Sequence, residues 1–235
     1  MDFKNLTLVA LAATCGAACA DEPVTAKLDM PVYSKYVWRG INFIDDPVFQ
    51  PSANLAWHGW NLNFWGDYDI NGSKRFDEWD TTVSYSASGP QGSWSLGYID
   101  YAFPLGPIRT AEFYGSFTFS GDFSPTIQVN MDVDEADKAV YGRFGASRQL
   151  ETPVGAIGLG GWVGYGNRTH NSYYYGNGRS GFADFGLEAT FTRTLFRGTD
   201  GYLKVGYAGF LDSKNLQGAP NRTNFTFGIG FTAGF

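Results

Sequence analysis

Residues Asn224 to Phe235 alternate without interruption. Phe225, Phe227, Ile229, Phe231, Ala233 and Phe235 share one face of an extended chain, and Asn224, Thr226, Gly228, Gly230, Thr232 and Gly234 share the other. Successive strand side chains point to opposite faces, so this segment meets an apolar medium on one side and water on the other. In a soluble sandwich such an aromatic face packs on a second sheet. In a membrane barrel it faces lipid.

The same parity recurs. Ala183, Phe185, Leu187 and Phe191 alternate with Asp184, Gly186, Glu188 and Thr190, and Ile127, Val129, Met131 and Val133 oppose Gln128, Asn130, Asp132 and Asp134. Between Glu78 and Ser88 the outward set is Trp79, Thr81, Val83, Tyr85 and Ala87. No helical period of 3.6 is sustained, and the alternating segments run about ten residues between Gly, Pro, Asn and Asp. A helical membrane span needs roughly 20 consecutive apolar residues, and none follows the N-terminus. Mean hydropathy is -0.22 while 17% of residues are aromatic, a mixture too polar for helical spans.

The first twenty residues read as an export leader. Lys4 supplies a sparse basic start, Leu6 to Ala13 an apolar core, and Ala18-Cys19-Ala20 a small-residue cleavage site before Asp21. Cleavage there leaves residues 21–235 as the barrel and removes Cys15 and Cys19, the only cysteines, so no disulfide is expected. A lipoprotein cysteine at position 19 is disfavoured because Gly16-Ala17-Ala18 places no large aliphatic residue before it. Asp2 and Lys4 cancel, so the mature chain keeps the net charge of -6, which disfavours nucleic acid as a partner.

The fold expected is all-β: a transmembrane antiparallel barrel of about twelve strands. They are placed at residues 26–38, 48–57, 60–69, 77–88, 92–102, 110–119, 125–134, 139–149, 155–165, 181–192, 201–210 and 224–235. An even count puts the N- and C-termini together, in the periplasm for a bacterial outer-membrane barrel. His58-Gly59, residues 89–91 and residues 120–124 then become short periplasmic turns, and residues 166–180 and 212–223 long outer loops. Trp57, Trp60, Tyr85, Trp94, Phe119, Phe191 and Phe235 would form one interfacial girdle, and Trp38, Tyr68 and Trp79 the other.

Ser34-Lys35-Tyr36-Val37-Trp38-Arg39-Gly40-Ile41, then Asp46-Pro47-Val48-Phe49-Gln50-Pro51 and the aromatic hairpin Trp57 to Trp65, resemble the opening of the TorF-type family of outer-membrane porins. That family has an aromatic-Arg-Gly step at the end of its first strand, then a short loop, a Pro and a Gln. The match covers about forty residues, with Pro51-Ser52-Ala53-Asn54 standing where a glycine-rich second strand is expected. The resemblance implies an outer-membrane barrel with a transport role.

Parity predicts inward-facing acids at Asp67, Asp69, Glu78, Asp80, Asp100, Glu112, Asp132, Asp134, Asp184 and Glu188, and inward bases at Lys35, Arg39, Arg143 and Lys204. A negative mouth with low-dielectric walls focuses its field on passing cations. The reading is a passive, cation-preferring pore for small solutes or ions, lodged in outer-membrane lipid and delivered by the barrel-assembly machinery through the strand ending at Phe235. Each ionic residue has an equally plain role in wall ion pairs. The alternative is a non-conducting structural or adhesive barrel, its lumen sealed by inward aromatics such as Tyr33, Trp65 and Tyr141. The tyrosines of residues 166–181 fit an ordinary outer loop, the favoured reading, or an inward constriction. No catalytic site, cofactor or metal is expected. His58 and His170 lie in no Ser-His signature, and the paired acids lack calcium-loop spacing.

Overall fold

The computed structural model describes residues 23–106, 109–216 and 221–235. The expected leader over residues 1–20 lies outside them. The elements in order are β1 (Thr25–Tyr33), β2 (Tyr36–Trp38), β3 (Ile41–Ile44), β4 (Val48–Phe49), β5 (Ser52–Trp57), β6 (Trp60–Asp69), β7 (Phe76–Gly89), β8 (Gly92–Ala102), β9 (Arg109–Phe119), β10 (Thr126–Asp132), β11 (Val140–Thr152), β12 (Gly155–Gly166), α1 (Arg168–Tyr175), β13 (Gly181–Phe196), β14 (Thr199–Phe210) and β15 (Thr223–Gly234).

Neighbours along the chain pair antiparallel from β6 to β15, and β15 returns to β1 in a ladder from Lys27↔Gly234 to Tyr33↔Gly228. The barrel is therefore closed and has no free edge, which removes the unpaired backbone groups that lipid cannot hydrate. β4 and β5 both bridge β1 and β6, so they are two parts of one stave. The break falls at Gln50-Pro51, where proline has no N–H to give the ladder. With β2 and β3 in a separate two-stranded sheet, the wall has twelve staves. The start of β1 and the end of β15 lie at one rim, where Phe235 and Ala26 exchange backbone hydrogen bonds. That terminal rim carries the tight turns, including His58-Gly59 with both φ angles positive. The longer connections gather at the opposite loop rim.

The inside-out partition follows the alternation. On β15, Phe225 is 62% exposed outward while its neighbour Asn224 is buried at 2%. Around the terminal rim Trp60 meets Tyr85 edge-on at 5.3 Å and Tyr85 meets Trp94 at 5.7 Å. Such amphipathic rings are stable at a membrane interface. At the loop rim Phe76 stacks on Trp79 at 4.1 Å. Among the described residues no helix is long and apolar enough to cross a membrane; the crossing segments are strands.

Three expectations are corrected. The first wall strand ends at Tyr33, not at residue 38, and β2–β3 folds into the lumen, taking Trp38 out of the girdle. The reason is local. Arg39 (φ 46°) and Gly40 (φ 80°) form a two-residue turn with both φ angles positive, the conformation that reverses a hairpin tightly. Second, residues 168–175 are the helix α1, with His170, Asn171 and Tyr175 buried, so the segment turns inward as a constriction and is not an ordinary outer loop. Asn167 caps its N-terminus by accepting from the His170 N–H at 2.8 Å, and Gly176 (φ 64°) ends it in the left-handed conformation. Third, β10 stops at Asp132, while β13 and β14 run on to a turn at Arg197-Gly198.

Candidate functional site

The inturned hairpin carries Arg39 at its tip, and the guanidinium becomes the hub of a plug across the loop-rim half of the lumen. Its Nη1 and Nη2 donate to Oε1 and Oε2 of Glu112 on β9 at 2.8 and 2.6 Å. This paired two-point geometry is the strongest an arginine makes with a carboxylate. The guanidinium carbon lies 4.2 Å from the ring centroids of both Trp38 and Tyr141, an arrangement that adds cation–π attraction. Only 8% of the Arg39 side chain and 2% of Glu112 are exposed.

Hydrogen bonds and ring contacts set this pair in a network that spans five staves, β8 to β11 and β13. Glu112 Oε2 also accepts from Tyr101 on β8 at 3.0 Å and from Asn130 on β10 at 2.8 Å. Tyr141 on β11 donates to Asp184 on β13 at 3.0 Å. From α1, Tyr175 donates to the Arg39 carbonyl at 2.9 Å, and Tyr174 donates to Asp132 at 3.1 Å. Thr110 donates to that same Asp132 oxygen at 2.8 Å. His170 Nε2 lies 3.3 Å from Arg39 Nη1 and its Nδ1 3.1 Å from Asn171 Oδ1. Because a guanidinium can only donate, Nε2 must accept, the proton sits on Nδ1, and the ring is neutral. Burial, reinforced by the Arg39 charge, pushes His170 down to about 4.

The wall leaves room for the plug. A side chain at Gly40 would come 3.0 Å from Asp184 Cβ and Phe210 Cε1, and one at Gly166 would strike Asn171 Oδ1. These are close approaches that only glycine permits.

On the terminal-rim side of the plug the lumen is polar. A cavity of about 240 Å³ is bounded by Gln128, Arg143, Ser147, Trp162 and Glu188, with Arg143 lying 3.9 Å over the Trp162 ring and Glu188 bonded to Lys204 at 2.8 Å. On the loop-rim side a cleft of about 540 Å³ opens among the rings of β2, β3 and α1.

The predicted ionic residues separate into groups. Arg39, Glu112, Asp132 and Asp184 meet in the plug. Asp67, Glu78 and Asp80 line the adjoining wall, Asp67 accepting from Gln50 Nε2 at 2.8 Å and Glu78 hydrogen-bonded to Tyr36. Asp67 Oδ2 and Asp80 Oδ1 are buried without a partner, and among the described residues none of the three forms an ion pair. Arg143, Glu188 and Lys204 face the terminal half. The others serve elsewhere. Asp69 gathers the backbone N–H groups of Asn71, Gly72 and Ser73 at the loop rim, Asp100 pairs with exposed Arg109 at 2.6 Å, and Lys35 pairs with Asp45 in the hairpin loop. Asp134 is exposed in the loop beyond β10, because the period-two extrapolation ran past the strand's end. The expected inward placement of Asp100 is also corrected: its neighbour Tyr101, paired with Asp80 and Thr110, takes the inward face, and Asp100 lies opposite outward-facing Thr81. Parity says nothing of His170, which joins the plug only through the docking of α1. Asn167 and Gly176 are the sequence signals that would have revealed the helix. Among the described residues no group of three or more His, Cys, Asp or Glu is placed to hold a metal ion.

Neither a protein-family profile nor a curated protein sequence matches the chain. Solved structures do. The NanC porin aligns at a TM-score of 0.58 with 14% identity over 88% of this chain and 98% of its own. The KdgM porin, solved in complex with disordered oligogalacturonate, aligns at 0.55 with 10% identity over 90% and 99%. At such identity the likeness is one of fold. A closed twelve-stave barrel of porin architecture with an apolar, aromatic-girdled exterior is an outer-membrane barrel.

Proposed function

We propose that the protein is an outer-membrane porin of the TorF type, oriented with its termini and tight turns in the periplasm and closed at rest by the Arg39 plug. It passes small solutes or ions by diffusion when the plug moves aside. The observation that carries this reading is the make-up of the closure. The plug consists of two inturned connections, β2–β3 and α1, and β2–β3 pairs only with itself, so it can move without breaking a rung of the barrel wall. Below it the lumen is lined by Gly, Ser, Thr and a few charges, as a water-filled path requires. Asp67, Glu78 and Asp80 bias the opened mouth toward cations.

The role in this reading is transport, and the engagement of both His170 ring nitrogens in the plug supports it. The partners are outer-membrane lipid, the assembly machinery reading the strand that ends at Phe235, and the solutes themselves. The completeness of the plug's pairing favours one second reading, a permanently sealed structural barrel. Refolded protein in a planar bilayer under a KCl gradient decides between them. Discrete openings with a cation-selective reversal potential support the porin, and a folded but silent barrel, unchanged when Arg39 is replaced, supports the scaffold.

A further inference from the structure

The cleft of about 540 Å³ at the loop rim is a box of rings. Tyr36 meets Phe43 at 5.4 Å and 40°, Trp38 meets Phe43 at 5.9 Å and 42°, Trp38 meets Tyr174 at 5.3 Å and 60°, and Tyr173 meets Tyr174 at 4.8 Å and 73°. Successive tilts of this size curve the wall around a hollow. Phe43 and Tyr173, about half exposed, form its lip, so it opens to solvent at the rim, and its volume falls in the range of small-molecule sites.

Its polar chemistry has one sign. Among the lining residues the only ionisable carboxyl is that of Glu78, which is 6% exposed, and no lysine, arginine or histidine joins it. The nearest bases are committed: Arg39 to Glu112 through both Nη atoms, and Arg109 to Asp100. Behind Glu78 lie Asp67 and Asp80, each with a buried oxygen that has no partner. An anionic ligand would meet these acids without a counter-charge. A sugar would need several converging amide or guanidinium donors, and the lining offers chiefly ring faces. A cation on an apolar body gains from both features, because aromatic faces attract positive charge and a low-dielectric wall strengthens the pull of the acid.

We propose that this vestibule binds hydrophobic cations, protonated amines carried on a one-ring or similarly compact apolar body, with Glu78 as the charge-recognising group and the rings of Tyr36, Trp38, Phe43 and Tyr174 as the enclosing wall. Binding requires no conduction, so its test is separate from that of the pore.

The experiment is calorimetric titration of the full-length, detergent-solubilised barrel with benzylamine, benzyl alcohol and benzoate at about pH 8, where a primary amine keeps its proton. Protein-free micelles serve as the blank. Benzylamine is expected to saturate and to bind about tenfold more tightly than benzyl alcohol, with benzoate weakest. Glu78→Gln, near-isosteric, should erase most of the preference for the amine. Tyr173→Ala, at the exposed lip and outside the plug's hydrogen bonds, should weaken amine binding about threefold. Far-UV circular dichroism and heat-modifiable migration confirm that each variant is a folded barrel. Equal affinity for alcohol and amine, tighter binding of benzoate, an amine preference that survives Glu78→Gln, or no saturable binding of the amine would each overturn the proposal.

Discussion

Replacing Arg39 with alanine should unseat the plug while leaving the wall intact. The substitution strands Glu112, buried on β9, with Tyr101 and Asn130 as its remaining donors. Removing one partner of a buried ion pair costs about 3–5 kcal/mol, because the surviving charge stays desolvated. The two ring contacts at 4.2 Å and the contact to His170 disappear as well. In the plugged state Glu112 is dry, whereas with the plug withdrawn water in the lumen can solvate it. The cost therefore falls on the closed state alone, and about 3–5 kcal/mol shifts the open-to-closed ratio by roughly two to nearly four orders of magnitude. Single-channel recording should show brief, rare openings in the wild type and sustained conductance in Arg39→Ala. Heat-modifiable migration should be unchanged, because no ladder bond of the wall involves the turn. Adding Glu112→Ala should reduce the effect, since it removes the stranded charge. Wild-type open probability in a folded Arg39→Ala barrel would refute the account of Arg39 as the hub.

Three further outcomes are expected. His170 is held neutral at about 4 against an unfolded value near 6.5. Against an open state in which the ring titrates freely, the plugged state carries no His170 penalty above pH ~6.5, and a penalty grows as pH falls from there toward 4, reaching about 3 kcal/mol. Open probability should therefore rise on acidification between those limits, and His170→Gln should remove the part that His170 contributes; an identical pH profile in that variant would count against it. Replacing Asp67, Glu78 and Asp80 with Asn, Gln and Asn should move the reversal potential toward zero with assembly retained, and unchanged selectivity would remove these acids as the filter. Asp69 is omitted because it holds loop backbone. Deleting Phe235 should lower the yield of folded barrel in outer membranes, measured by heat-modifiable migration of the outer-membrane fraction, and a normal yield would exclude this residue as an assembly signal.

The barrel and the lumen differ in how far they could be read from sequence. Wall strands obey a two-residue period imposed by backbone geometry and by two solvents on opposite faces, so Phe225 and Asn224 declare their sides without any partner in view. The number of staves, the tight turns and the rings at Trp57, Trp60 and Trp94 follow from that period, as does the inward placement of Glu112 and Asp184. Parity stops where the ladder stops. It carried the first strand through Tyr36–Trp38 and the seventh through Asp134, because nothing in alternation distinguishes a stave from a hairpin that leaves the wall. What Arg39-Gly40 does depends on its turn projecting across the lumen to Glu112, seventy-three residues away in the chain, and on α1 closing over it from a connection between β12 and β13. These contacts join segments that share no local pattern and meet only once the barrel closes. The sequence by itself therefore determined a lipid-facing barrel with a charged interior. Only the tertiary structure decided which charges are consumed in a plug and which still face the water, because ion pairing in a lumen is a property of opposing walls and not of any one strand.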